Sequence, residues 1–446
     1  MRAVVRSTEN KRFRLKYRVR TSRQSLVAEL HDVPLKRSQT PERIRIHQRE
    51  ADLLVAAHER FVARQPGGKR LVLRFAILEG VDLCGRDLAD ADLTGSALTS
   101  CRFDHARLAR ACLFGADLQA SSFIGASLVR ADLRGARLKG ANLSHADLTQ
   151  ADLRAGRIAI SDGDTKFAVI RHKVSAGQLD GANVSGAVLD KSRLDDVSAT
   201  AADFSECSMR GARLVGANLK NASLRGAVID NVDVRGANLE SADFSDAVVT
   251  RVDLTRARMM GAVLDRCLCD PQAEAGERAA LLVVKLAAHR EWVISGGKSG
   301  EPAVLDGEDL RPIADMAGAF LTAVSAKNAC LAGMDLRRIS LQGALLDGAD
   351  LRGAILREAD LRGASLSGAN LKQADLRRTL LSALPFKIDR EKPTDLTEAS
   401  LRYADLRGAE LGDTNLSEAD LHGARRSAVQ AMMDDADDDG AFMLDM

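Results

Sequence analysis

A large apolar residue returns at every fifth position through most of this 446-residue chain, usually inside Ala-Asp-Leu-x-x or Ala-Asn-Leu-x-x. That period matches neither the 3.6-residue face of a helix nor the two-residue alternation of a strand. From Leu73 the large position recurs at Leu78, Leu83, Leu93, Phe103, Phe123, Leu133 and Leu143, and it keeps step to Leu153 and Ile158. After an eleven-residue step it resumes at Val169 and runs through Phe204, Leu214, Leu239, Phe244 and Leu264 to Cys269. A third run starts at Met316 and passes through Leu336, Leu351, Leu361, Leu371 and Leu406 to Leu421. Self-similarity on this scale is the signature of a solenoid.

One unit shows how such a chain folds. In Ala131-Asp132-Leu133-Arg134-Gly135 the Ala and the Leu stand two apart, so a short extended segment points both inward and turns Asp132 outward. Arg134 and Gly135 then carry a corner, and glycine accepts the positive φ that many tight turns need. A straight strand cannot keep period five inward, so the chain coils around its leucines. Apolar residues make up 46% of the chain but aromatics only 3%, which fits a narrow tube filled by Leu and Ala.

These residues resemble the pentapeptide-repeat family, whose motif is Ala-Asp/Asn-Leu-x-x, over about three quarters of the chain. The resemblance implies an all-β solenoid, a right-handed quadrilateral β-helix with four pentads in each coil of twenty residues. Phe103 and Phe123 are then stacked neighbours, and Phe204, Leu224 and Phe244 share one face. The rods total on the order of 70 Å at ~4.8 Å per coil. The inward positions include Leu83, Leu93, Phe103, Phe123, Leu133, Leu143, Phe204, Leu214, Leu239, Phe244, Leu336, Leu351, Leu361, Leu371 and Leu406.

The chain holds two copies of a larger module. His58-Glu59-Arg60-Phe61-Val62 and a Gly-Gly-Lys turn at 67–69 correspond to His289-Arg290-Glu291-Trp292-Val293 and the turn at 296–298. Each copy follows a helix-like stretch. From Pro41 to Ala63 the apolar side is Ile44, Leu53, Leu54, Ala57 and Phe61; from Pro271 to Val293 it is Leu282, Val283, Leu286 and Trp292. A helix at an open solenoid end covers unpaired backbone groups, so both are expected to cap. The expected organisation is a basic arm at 1–40, a capping helix at 41–64, a first repeat module at 71–270, an inserted or capping helix at 271–295, a second module at 303–423 and a short helix with an acidic tail at 424–446. Helix 271–295 either divides two rods or lies across one continuous rod. Ser161-Asp162-Gly163-Asp164 reads as a loop at a corner, and a loop near 385–395 replaces one or two faces.

Charge is uneven. The formal total is +2, yet residues 1–70 carry about +11, residues 71–270 about −1 and residues 271–446 about −8. Arg12, Arg14, Lys16, Arg18 and Arg20 alternate with apolar residues and line one side of an extended arm. That stripe fits phosphates of nucleic acid or an anionic surface; a solvated arm, or an upstream start outside the folded unit, are the alternatives. No secretory pattern opens the chain and no apolar run spans a membrane, so a cytoplasmic location is expected.

No enzyme is expected, and no catalytic, metal or cofactor residue is assigned. The seven cysteines are spread through the chain; Cys101, Cys207 and Cys267 fill the small inward slot, and Cys267 and Cys269 are both read as inward packing residues. Gly297-Lys298-Ser299 lacks the first glycine of a phosphate loop, since Trp292 stands there. The reading is a non-enzymatic scaffold that presents a long flat surface to a protein partner. The first alternative is a DNA-mimicking modulator of a type II topoisomerase, which the resemblance brings in and the mixed outer charge disfavours; the second is nucleic-acid or anionic-surface binding through the arm. Homodimerisation through a terminal helix is a further expectation drawn from the resemblance.

Overall fold

The computed structural model describes residues 43–160, 171–175, 177–270, 275–313, 315–387 and 390–427. The arm stripe from Arg12 to Arg20, Pro41, Val169 and the acidic tail lie outside the described residues.

Pentads stack as coils in which residues twenty apart pair in parallel through the backbone. One ladder runs Asp82, Arg102, Ser122, Asn142, and another runs Asp87, Arg107, Ser127, Asp147. Arg102 N donates to Val81 O at 3.0 Å and Phe103 N to Ser122 O at 2.7 Å, so each rung is tied to the coils on both sides. Four ladders per coil make four pentads per turn. The corners are tight: Ala106 N donates to Phe103 O at 3.0 Å, and His105 between them has φ 57°. A hydrogen bond closing four residues with a positive φ at the third is what a type II turn requires. Glycine relieves that strain at many corners, but Ser100, His105 and Arg110 also adopt it.

The inward side chains form two separate cores, one from Ala51 to Val249 and one from Leu282 to Ala409. All fifteen inward Leu and Phe positions named above are at most 3% exposed. Phe103 and Phe123 stack with ring centroids 4.7 Å apart and planes 5° apart. The first rod carries nine rungs from Asp87 to Leu268 along one ladder, about 40 Å at ~4.8 Å per rung.

Helix α1 (Gln48–Val62) closes the start of the first rod. The face turned to the tube is Ala51, Val55 and His58, whereas Leu53 is 68% exposed and Leu54, Phe61 and Ile44 also face out. The sequence reading thus chose the wrong face. A narrow tube end admits small side chains and needs a hydrogen-bond partner for its first free amide: His58 Nδ1 accepts from Leu71 N at 3.0 Å, and the other ring nitrogen meets Ala89 O at 2.9 Å. Helix α2 (Ala275–Ile294) repeats the device on the second rod, with Leu282 buried and His289 Nδ1 accepting from Ala303 N at 3.0 Å. Val283, expected on its apolar side, is exposed.

Two excursions leave the coils. Strands β1 (Gly156–Ile160) and β2 (Arg171–Ser175) form an antiparallel hairpin, so Ile158 belongs to the hairpin and not to the pentad run. Arg137 accordingly pairs with Gln178, 41 residues on instead of 20. Short parallel strands β3 (Val228–Asp230) and β4 (Val248–Thr250) lie within the first rod. Strands β5 (Leu384–Lys387) and β6 (Arg390–Lys392) form the second hairpin. Ser365 pairs with Asp395, 30 residues on, and the ladders on both sides continue, so this loop is added to a coil and replaces no face. Arg425 pairs with Asp405 as one more rung, which extends the coil where a short helix was expected from Ala424.

Candidate functional site

Outward residues of one ladder in the first rod read Val188, Ser208, Val228, Val248 and Leu268, apolar at all but Ser208 where the other ladders are mostly polar. Val228 and Val248 are each 1% exposed and pack on Ala332 of the second rod, with Leu268 and Cys330 alongside. Burying a valine contributes about 1.5–3 kcal/mol, so this patch holds the second rod back against the first. At Gly353 an added Cβ would lie 2.8 Å from Val228 Cγ2, and its φ of 64° also favours glycine.

Beyond the patch the seam is polar. Arg352 Nη1 donates to Asp246 O at 2.9 Å, and Arg210 Nη2 donates to Gly353 O at 2.9 Å and Gln373 O at 3.0 Å. Arg402 reaches Glu206 at 3.4 Å and Arg425 reaches Asp147 at 3.1 Å. Partners rise in number on one rod as they fall on the other, so the rods lie side by side and antiparallel.

Among the recesses along the seam are two neighbours of about 480 and 200 Å³. Gln373 and Tyr403 line both. Gln373 is 5% exposed, and neither its amide nitrogen nor its amide oxygen has a hydrogen-bond partner. Tyr403 stacks on His145 at 5.3 Å, meets His422 edge-on at 5.7 Å, and carries the Arg402 guanidinium 5.5 Å above its ring. Burial, then the Glu206 carboxylate, pushes the Tyr403 phenol up; burial, then His422, pushes His145 down. Burial also raises Asp375 above the usual carboxylate range, outweighing the Arg357 guanidinium beside it.

Along both rods, the Asp of an Asp-Leu-Arg motif is committed to its own corner. Asp132 Oδ1 accepts from Arg134 N at 3.2 Å and from Arg134 Nε at 2.8 Å, while Oδ2 takes Arg134 Nη2 at 2.7 Å. The same clamp recurs at Asp152 with Arg154, Asp233 with Arg235, Asp360 with Arg362 and Asp405 with Arg407. Sequence reasoning placed these carboxylates outward without a partner named; Asp-Leu-Arg was the signal for a two-residue clamp.

Of the cysteines, Cys101 and Cys207 are buried as expected, but Cys269 is exposed, because the tube opens at that end. Its sulfur lies 3.7 Å from that of Cys267, whose thiol burial pushes up to about 12. Among the described residues no group of three or more His, Cys, Asp or Glu side chains is placed to hold a metal ion, and no helix is long and apolar enough to cross a membrane. Sequence reasoning missed Arg210, Gln373, Arg402 and Tyr403; Val228 and Val248, twenty apart at outward positions, were the legible trace of the seam.

A family model described as pentapeptide repeats (8 copies) matches residues 76–115, 111–154, 178–214, 202–240, 229–266, 344–382 and 394–425. No curated protein matches. Among solved structures, QnrB1, described as a plasmid-mediated fluoroquinolone resistance protein, is 20% identical with a TM-score of 0.26, over 49% of this chain and 92% of its own. HetL from the cyanobacterium Nostoc sp. Strain PCC 7120, described as involved in heterocyst differentiation regulation, is 21% identical with a TM-score of 0.15, over 81% and 94%. Rfr23 from the cyanobacterium Cyanothece 51142 is 26% identical with a TM-score of 0.18, over 29% and 89%.

Proposed function

Because this chain belongs to the pentapeptide-repeat family, we propose that it is a non-enzymatic scaffold whose outer faces receive a protein partner. Each coil is read as the right-handed, four-sided β-helical turn that the family resemblance implies; pairing at twenty-residue steps supports this. The proposed organisation follows the modules read from the sequence, with residues 1–40 as a basic arm able to add a contact to nucleic acid or an anionic surface. The proposed location is the cytoplasm, which the seven free thiols support. Homodimerisation is a secondary part of the proposal.

The carrying observation is the clamp of Asp132 by Arg134 and its repeats, which spends outer charge inside the coil. What remains for a partner is a flat mosaic. Outside the seam, the ladder two pentads from it is uncharged from Gln178 through Ser198 and Asn218 to Asn238, with Asn238 Nδ2 donating to Asn218 Oδ1 at 3.0 Å. A protein surface docks there with little charge to desolvate. Capture of a partner by the full chain, and its loss in a variant carrying Asn218→Arg and Asn238→Arg, is the expected result; capture indifferent to changes on every outer face would overturn the reading.

The second reading is a DNA-mimicking modulator of a type II topoisomerase. It draws on the ladder Asp92, Cys112, Asp132, Asp152, three carboxylates in one line. Each is paired with an arginine, Arg74, Arg134 and Arg154, and duplex DNA carries one charge per ~1.7 Å. Inhibition of gyrase supercoiling by the purified chain would favour this reading over the first.

A further inference from the structure

We propose that the seam recess beside Gln373 is a binding site for a small phosphorylated anion. This goes beyond the scaffold reading and does not depend on it. A buried amide with no partner forfeits the hydrogen bonds it makes in water, and native folds rarely leave one. Gln373 leaves both amide atoms unsatisfied while 5% exposed, and it stands in the wall between the two recesses. Its backbone is not free to move away, since Arg210 from the other rod holds its carbonyl at 3.0 Å and its own amide donates to Arg402 O at 2.9 Å.

The lining fits an anion. Around the larger recess Arg225, Arg352, Lys372 and Arg402 face Glu206 and Asp246. In the smaller one six arginine and lysine side chains face three carboxylates, of which Asp375 is buried. Guanidinium forks match phosphate oxygens in pairs, and the Lys372 ammonium at the larger recess adds a further donor group. A volume of about 480 Å³ lies within the ~300–1,000 Å³ common for small-molecule sites. An amide that offers both a donor and an acceptor suits a partly protonated phosphate, or the polar edge of a molecule carrying one.

The test is calorimetric titration of the full chain at low ionic strength with sodium pyrophosphate and, separately, with ADP. Saturable binding of one equivalent is expected, weakened at least tenfold in Gln373→Leu and in Lys372→Ala and unchanged in Arg137→Ala on the far ladder, with circular dichroism confirming that each variant folds. Tighter binding of ADP than of pyrophosphate would identify a nucleotide as the source of the phosphate; the reverse order would identify a free phosphate. Absence of saturable binding for both, or binding indifferent to Gln373→Leu and Lys372→Ala, would overturn the proposal and leave Gln373 satisfied by water alone.

Discussion

Arg210 and Gly353, 143 residues apart in the chain, are joined by a 2.9 Å hydrogen bond from guanidinium to carbonyl. That bond crosses from one rod to the other beside the apolar patch of Val228, Val248 and Ala332. Two solenoids that each bury their own leucines are thereby held as a pair, and the pairing creates recesses that neither rod has alone.

Opening the seam should therefore be separable from unfolding. Gly353→Val places a branched side chain where an added Cβ already lies 2.8 Å from Val228. Small-angle scattering should show a larger radius of gyration for this variant while far-ultraviolet circular dichroism stays that of the parent. A simultaneous loss of both signals would mean that the second rod does not fold without the first.

Much of this was legible in the sequence, and the reasons are local. Period five fixes which residues point inward, because Leu and Ala two apart share one side of an extended pair whatever surrounds them, and Phe103 over Phe123 follows from the twenty-residue coil. Both caps were legible as helices, but the face of α1 was not. Periodicity favoured Leu53 and Phe61, whereas the tube end selects Ala51, Val55 and His58 by size and by hydrogen bonding. The return of the second rod depends on pairs such as Asp147 with Arg425, which no local rule connects. Gln373 was invisible for the same reason: in its own pentad it is an ordinary corner residue.

Removing one stacked ring should cost most at the middle of a rod. Phe103 is fully buried against Phe123, and Phe103→Ala is expected to destabilise by about 3–5 kcal/mol. Urea unfolding followed by circular dichroism measures it; a loss below ~1 kcal/mol would mean that the coils collapse onto the space.

The caps should loosen in acid. Burial pushes the imidazoles of His58 and His289 down from an ordinary value near 6.5, against smaller opposing pulls from the Ala89 and Thr322 backbones. A protonated ring could no longer accept the Leu71 or Ala303 amide. The unfolded state thus takes up protons first, so the contribution is complete above pH 6.5 and is lost as pH falls through the lower folded values. Hydrogen exchange of α1 and α2 amides should speed up between pH 7.5 and 5.5 more than exchange in mid-rod coils; equal acceleration throughout would contradict the account.

Thiol reactivity should follow position in the tube. Burial holds Cys101 up at about 11 and Cys267 up to about 12, and Cys207 is wholly enclosed. Cys269, exposed at the open end, should react first with a thiol reagent, and Cys101 and Cys207 only after denaturation. Mass spectrometry of partly labelled protein reads the order directly.

The antiparallel pairing of the two rods is tested most directly by cross-linking cysteines across the seam. Asp147→Cys and Arg425→Cys replace an ion pair 3.1 Å long, in a chain whose Cys84, Cys112, Cys267, Cys269 and Cys330 are serine. A short bismaleimide, which spans the gap the Arg425 side chain bridged, should link that pair, seen as a mobility shift on a denaturing gel, while Asp265→Cys with Arg425→Cys, at the far end of the first rod, should stay open. Equal trapping of both pairs, or trapping of neither, would contradict the paired-rod architecture.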